Sequence, residues 1–272
     1  MKFLRKHLWF SILFAVFLVL LLWSLWGNKA LLLTRWSVVS HEIPDSFDGF
    51  RIAQISDLHN AQFGENNEEL LTLLAETKPD MIAITGDLVD SRRTDLDIAV
   101  HFIRECVNIA PTYYVPGNHE ARIPARYAAL KAEMDAAGVV ILENESINLV
   151  QHGDSITLTG LMDPDFGLAM PAFTTENYHV VLSHRPELME LYAEQSFDLV
   201  FTGHAHGGQF RIPFVGGLFA PHQGFFPKYD SGVYEKNMTT MVVSRGLGNS
   251  LFPLRFNNRP ELIIVTLKAI DL

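Results

Sequence analysis

Residues 51–59 read Arg-Ile-Ala-Gln-Ile-Ser-Asp-Leu-His, a buried-strand composition that stops at Asp57-x-His59. The same grammar recurs along the chain. Met81-Ile-Ala-Ile-Thr85 runs into Gly86-Asp87-Leu88-Val89-Asp90, and Tyr113-Tyr-Val115 leads to Gly117-Asn118-His119-Glu120. His179–Ser183 ends at His184, and Leu199–Thr202 opens into Gly203-His204-Ala205-His206-Gly207-Gly208-Gln209. Three of these endings follow a glycine directly, the residue that lets a backbone turn sharply and approach a ligand. In open α/β sheets, ligands sit just outside the carboxyl ends of strands.

Helices are expected between the strands. Asn67–Lys78 places Leu70, Leu71 and Leu74 on one face, with Pro79 at its end. Thr94 is expected to cap a helix, with Asp97 three residues on and Ala99, Phe102, Ile103, Cys106 and Val107 facing inward. Pro124 opens a helix that Gly138 closes, and another runs from Pro186 to Gln195. Further strands are expected at Leu31–Ile43, Val139–Leu142, Ile156–Gly160, Thr240–Ser244 and Leu262–Leu267. This alternation predicts an α/β domain.

The amino terminus differs. Residues 8–26 carry no charge, and nineteen helical residues span roughly 28 Å, about the hydrocarbon thickness of a bilayer. Trp9, Trp23 and Trp26 sit at its ends, as interfacial rings do. A cleaved signal would have a shorter apolar core, about 7–15 residues, and a small-residue cleavage site, which Trp26-Gly27-Asn28-Lys29 does not supply. The expected organisation is a basic terminus (1–7), a transmembrane anchor (8–26), a linker with the first strand (27–44) and one domain (45–272). Lys2, Arg5 and Lys6 before the span, against Lys29 and Arg35 after it, favour a cytoplasmic amino terminus and an extracytoplasmic domain.

Across its 272 residues the net charge is −10, but residues 1–40 carry +5 and the remainder, with 16 basic and 31 acidic side chains, −15. So acidic a domain is unsuited to nucleic acid. The single cysteine, Cys106, excludes an internal disulfide and any thiolate-built metal site. No protein partner is legible; the partner expected from the apolar amino terminus is the bilayer.

Asp57-x-His59 and His204-x-His206 are each spaced by two, so in extended backbone both members of a pair point the same way. Imidazole with carboxylate or amide oxygen, without thiolate, suits two divalent ions of the Mn, Fe, Zn or Co type, and Asp87 can bridge them. In this order the motifs resemble the calcineurin-like metallophosphoesterase superfamily. The motif match runs from Asp57 to His206, and the surrounding pattern covers residues 45–270. The anchor, the Gly-His-x-His-Gly-Gly-Gln extension and Ser244-Arg245-Gly246-Leu247-Gly248 are more similar to one membrane-associated bacterial branch, related to UDP-2,3-diacylglucosamine pyrophosphatase.

The resemblance implies two mixed β-sheets packed as a sandwich flanked by helices. It implies that Asp57, His59 and His206 hold one metal, that Asn118, His184 and His204 hold the other, and that Asp87 bridges. His119 would be the general acid and Asp90 the carboxylate that orients it. Ser91 stands where the protein-phosphatase branch has a phosphate-binding arginine, which argues against that activity. The reaction implied is hydrolysis of a phosphoester or pyrophosphate by a hydroxide bridging the metals, on lipid-linked substrates. Soluble or wall-polymer phosphoesters, or a non-catalytic metal-stabilised module, are the alternatives. For substrate contact the candidates are Arg245 and Arg255, which either reach a distal phosphate or form structural ion pairs, and Gln209 and His222. Phe210, Phe214, Leu218, Phe219, Leu251 and Phe252 either line a groove for acyl chains or pack under long loops.

Overall fold

The computed structural model describes residues 2–250 and 252–270. The first half of the chain gives α1 (Lys2–Gly27), β1 (Leu32–Ser40), β2 (Arg51–Ile55), α2 (Glu68–Glu76), β3 (Met81–Thr85) and α3 (Leu96–Ile109). It continues with β4 (Thr112–Val115), α4 (Asn118–Ala121), α5 (Pro124–Ala137), β5 (Val140–Ile141), β6 (Glu145–Gln151) and β7 (Asp154–Gly160). Then come β8 (His179–Leu182), α6 (Met189–Glu194), β9 (Leu199–Thr202) and four two-residue strands, β10 (Arg211–Ile212), β11 (Gly216–Gly217), β12 (Phe219–Ala220) and β13 (Gly224–Phe225). The chain closes with β14 (Gly232–Lys236), β15 (Thr239–Val243) and β16 (Glu261–Ala269).

Two six-stranded sheets form, ordered β1-β16-β2-β3-β4-β5 and β14-β15-β9-β8-β7-β6. Both are mixed: β2, β3, β4 and β5 run parallel and β16 antiparallel to β2, while β7, β8, β9 and β15 run parallel between the antiparallel edge strands β6 and β14. Ile52, Ala83, Val115 and Val265 of one sheet meet Leu158, Val180, Leu182, Phe201 and Val242 of the other in a buried core. Parallel strands covered on both faces need such unbroken apolar runs. The outer face of the first sheet is covered by α2, α3 and α5 through Leu70, Leu74, Phe102, Ile103, Leu130 and Met134. Cys106 lies in this layer, fully buried, as the helical periodicity predicts. The second sheet is covered by α6 through Met189 and Tyr192, with Phe197 beside them. The expected sandwich is therefore the observed fold.

Several details differ from the sequence reading. The α3 cap is Asp95, whose carboxylate accepts the Asp97 and Ile98 amides, while the Thr94 hydroxyl turns back to the Asp90 carbonyl. An Asp one residue nearer the helix competes better for those amides. β6 was not expected; it is an edge strand with a half-exposed alternating face, joined to β7 by a tight turn at His152 and Gly153, both at positive φ. The first strand is shorter than expected but zipped along its whole length to β16, so little free linker separates it from α1.

α1 includes one stretch, Trp9–Gly27, long and apolar enough to cross a membrane. Its Leu, Phe and Trp side chains are exposed along the helix, and only its end meets the domain. There Ser24 donates to the Arg255 carbonyl at 2.7 Å, and Asn249 donates to Asn28 at 2.7 Å.

Candidate metal centre

The carboxyl ends of β2, β3, β4, β8 and β9 converge at one rim of the sandwich, because both sheets point their parallel strands the same way. The two sheets are tied just below that rim. Gln54 donates to the Thr202 carbonyl at 2.8 Å, and His184 Nδ1 lies 2.8 Å from the Thr85 carbonyl. The approach depends on glycine: Gly86 has φ +85°, and a Cβ there would come within 2.7 Å of His184 Nδ1 and 2.8 Å of Gly117. A Cβ on Gly203 would collide with Ser56 and Asp57. Asp57, His59, Asp87, His204 and His206 also have φ between 47° and 64°. Non-glycine residues in this region carry strain that clusters where side chains must be aimed at a ligand.

Two groups of ligand atoms result, Asp57–His59–His206 and Asp87–His184–His204. In the first, His59 Nε2 stands 3.2 Å from His206 Nε2, and Asp57 Oδ1 is 3.4 Å from His206 Nε2. In the second, His184 Nε2 is 3.2 Å from His204 Nδ1 and 3.2 Å from Asn118 Oδ1. Asp87, of the second group, also faces His59 of the first. Its Oδ1 accepts the His119 backbone N–H at 2.8 Å, which leaves Oδ2 facing His184 at 3.3 Å and His59 at 3.5 Å.

The donor set fits cations. The Asn118 amide lies 3.2 Å from His184 Nε2, among the imidazole and carboxylate groups of the second cluster. Lone pairs converging in this way are what a divalent ion satisfies. Burial holds the imidazoles of His59, His204 and His206 below their ordinary range, in the neutral form that ligation requires. Burial also opposes charge on His184, but Asp87 outweighs it and pushes His184 up to about 10. At that nitrogen a proton and a metal ion compete for the same lone pair.

Glu120 braces the loops that carry these groups. Its carboxylate accepts the backbone N–H groups of Gly117 at 2.8 Å, Asp87 at 3.0 Å and Val89 at 3.2 Å. Burial, reinforced by the charge of Asp87, raises its pKa to about 7.

His119 lies beside both groups. Its Nδ1 accepts the Ser91 backbone N–H at 2.9 Å, which places the proton of the neutral ring on Nε2, 3.1 Å from the Ser250 hydroxyl. Burial keeps its pKa low against the opposing charges of Asp87 and Asp90. The expected orienting bond from Asp90 is not observed. Asp90 Oδ1 is taken by the amides of Arg92 and Arg93, so the backbone of Ser91 sets the tautomer and Asp90 acts only through its charge.

The groups open into a cavity of about 350 Å³, with Arg122, Gln209, Phe219, Pro221, Ser250 and Phe252 on its walls. The substrate contacts expected of Arg245 and Arg255 are corrected by the structure. Arg255 is fully buried, and a buried guanidinium needs all its donors satisfied; it spends them on Asn249 Oδ1, the Arg245 carbonyl and the Gly248 carbonyl. Arg245 pairs with Glu261 and does not line the cavity. Gln209 lines it, but its amide donates to the carbonyls of Phe252 and Leu254. His222 packs on the far side of His204, with its Nδ1 2.8 Å from His204 Nε2. Phe219 and Phe252 line the cavity, Phe210 packs against Phe252, Phe214 points into solvent, and Leu251 lies outside the described residues.

Two arginines near the metal groups escaped the sequence reading. Arg185 is buried between Asp163, to which it donates from Nη2 at 2.7 Å, and His204, 3.3 Å from its Nη1. Its position immediately after His184 was the available signal. Arg122, two residues beyond Gly117-Asn118-His119-Glu120, is the cation on the cavity wall.

Comparison with known proteins agrees with this geometry. Residues 50–208 match the family model described as calcineurin-like phosphoesterase. The chain is 30% identical to the uncharacterized metallophosphoesterase YkuE of Bacillus subtilis, over 87% of this chain and 85% of that protein. It is 30% identical to the phosphodiesterase YaeI of Escherichia coli, over 82% of this chain and 84% of that protein. It is also 28% identical to a transmembrane protein with metallophosphoesterase domain of Danio rerio, over 84% of this chain and 55% of that protein. With its five strand ends carrying the family's metal-binding residue types around one cavity, the chain belongs to the calcineurin-like phosphoesterases, hydrolases that work with a dinuclear site for divalent cations.

Proposed function

We propose that this protein is a membrane-anchored phosphohydrolase acting on lipid-linked phosphodiesters or pyrophosphates. Residues 8–26 form the anchor and residues 45–272 the catalytic domain. Asp57, His59 and His206 would hold one ion, Asn118, His184 and His204 the other, and Asp87 would be shared by the two sites. Bound there, the ions supply Lewis acidity and an activated water for in-line attack on phosphorus. The chain's own groups do the rest. Arg122 faces the cavity as a donor for phosphate oxygens. His119 turns Nε2 toward Ser250 on the cavity wall, and its imidazolium form, favoured by the charges of Asp87 and Asp90, would give the departing oxygen a proton and return to the neutral ring.

The observation that carries the lipid reading is the opposite wall of the same cavity. Phe219, Pro221 and Phe252 face the metal-binding side chains with an apolar surface that a small polar phosphoester does not need. α1 supports the anchor, since a helix apolar all round and exposed along its length requires a non-aqueous surrounding. The name of the Danio rerio relative includes a transmembrane segment, and that of the Escherichia coli relative is phosphodiesterase. An outward-facing domain favours envelope lipids or lipid-linked wall polymers over nucleotide-activated precursors.

The test is kcat/KM of the full-length, Mn-loaded protein in detergent micelles, on phosphodiesters matched except for an acyl chain. Each methylene buried contributes about 0.8 kcal/mol, so seating two of them predicts a preference of about tenfold for the acylated member. Phe252→Ser is expected to reduce that preference. Equal rates for both substrates would remove the lipid reading and leave the phosphoesterase chemistry intact. Orientation is checked separately: a reporter fused after Leu272 that functions only outside the cytoplasm is expected to be active, and activity of a cytoplasm-only reporter reverses it.

A further inference from the structure

Beyond the cavity wall the chain makes two small hairpins, β10–β11 and β12–β13. Their outer surface is apolar and faces solvent: Phe214 is 108% exposed, Phe225 72%, and Phe226 and Val215 each 61%, with Ile212 beside them. Phe214 and Phe226 have φ of 67° and 54°, a conformation in which bulky residues are outliers. The chain thus accepts backbone strain at two aromatic residues that remain largely exposed. Contiguous apolar patches of this kind mark contact with a partner or a membrane.

Two links connect this patch to other parts of the molecule. One leads inward: the Phe225 ring packs on Phe219, 5.4 Å between centroids, and Phe219 lines the cavity. The other leads to α1. Asn249 and the stretch 252–256 meet the helix end through Asn249–Asn28 and Arg255–Ser24. The same stretch is bonded to the start of the hairpins, where Gln209 donates to the Leu254 carbonyl at 2.7 Å and the Arg211 amide to the Phe256 carbonyl at 2.9 Å. The end of the apolar helix and the start of the hairpins are thus bonded to the same short stretch of chain, and one hairpin also packs on the cavity wall.

We propose that the hairpins over residues 211–226 are a second contact with the bilayer that α1 enters. Phe214, Val215, Phe225 and Phe226 lie in the interfacial layer, and the cavity mouth opens onto the lipid. Aromatic side chains favour that layer, and an apolar face lying on a membrane sits about 5–10 Å into the headgroup and acyl boundary. The inference rests on the reading of α1 as an anchor. It adds that the domain is held in a fixed pose, with the reacting phosphate reached from the membrane side.

Cys106 is buried, so a cysteine placed on the surface takes an environment-sensitive fluorophore selectively. Labelled Phe214→Cys and Phe225→Cys are prepared as full-length protein in vesicles of phosphatidylethanolamine and phosphatidylglycerol, with and without a lipid-borne quencher in the upper acyl region. Labelled Met238→Cys, in the exposed β14–β15 turn at the opposite end of its sheet, is the water-facing control, and Phe17→Cys reports α1. The expected result is quenching at 214 and 225 at least about twofold stronger than at 238, given the interfacial depth above. Quenching at 17 but not at 214 or 225 overturns the proposal while leaving the anchor in place. No quenching at 17 either removes the anchor as well. A water-shielded but unquenched probe at 214, with cross-linking between two copies, assigns the patch to a dimer and also overturns the proposal.

Discussion

Asp87→Asn is expected to empty both metal positions together and to lower turnover by at least about 10³-fold, because each divalent ion contributes several kcal/mol of transition-state stabilisation. The reason is geometric. Oδ1 is held by the His119 amide, so Oδ2 is committed to the space between His59 and His184. An amide there removes the negative charge that the two ions would share. By contrast, His206→Ala removes a group that touches only the Asp57 and His59 side. Elemental analysis of the two variants separates the cases: Asp87→Asn loses metal from both positions and His206→Ala principally from one. Retention of two full equivalents by Asp87→Asn would show that the carboxylate does not bridge.

His119→Ala is expected to lower turnover by about 10²–10⁴-fold, the range for loss of a general acid, while metal content stays at the wild-type level. Its ring is aimed by the Ser91 amide at Nδ1, which turns Nε2 toward Ser250 at the cavity wall, and the imidazolium form would carry the proton that is transferred. Substrates that need that proton suffer most. An alkyl ester should lose far more than a nitrophenyl ester, whose leaving group departs without protonation. Equal losses for the two would assign His119 a role other than proton transfer. Ser91 contributes through its backbone, so Ser91→Ala is expected to keep most activity, whereas Asp90→Asn tests the remaining electrostatic contribution.

The metal-binding residue types were legible in the sequence because each is a local event. An apolar strand ends, often at a glycine, and the next residues are Asp, His or Asn at spacings that aim them together. Asp57-x-His59, Gly86-Asp87, Gly117-Asn118-His119, His184 and Gly203-His204-x-His206 all end up within the two ligand groups or beside them. Helix α1 was legible for a similar reason, since length and uniform apolarity need no tertiary partner to be read. The cap of α3 was misplaced by one residue because Thr94 and Asp95 are both competent caps, and the choice depends on how the chain leaves Asp90.

What the sequence by itself determined is therefore the α/β class, the membrane-length helix and the identity of the side chains at the strand ends, all carried by short-range pattern, while the sandwich was implied by the family resemblance. The tertiary structure decided which long or polar side chains accompany them. Arg255 looked available and is locked by Asn249 and two carbonyls, with its Nη2 3.5 Å from His206 Nδ1, whereas Arg185 stands beside His204 and Arg122 on the cavity wall. An arginine reaches several ångströms from its backbone, and its partners come from segments tens of residues away, so local sequence does not specify where its charge goes. The same holds for Phe214 and Phe252, apolar residues in neighbouring loops. One faces solvent and the other the cavity, because turning a short hairpin outward or inward depends on packing between segments distant in sequence.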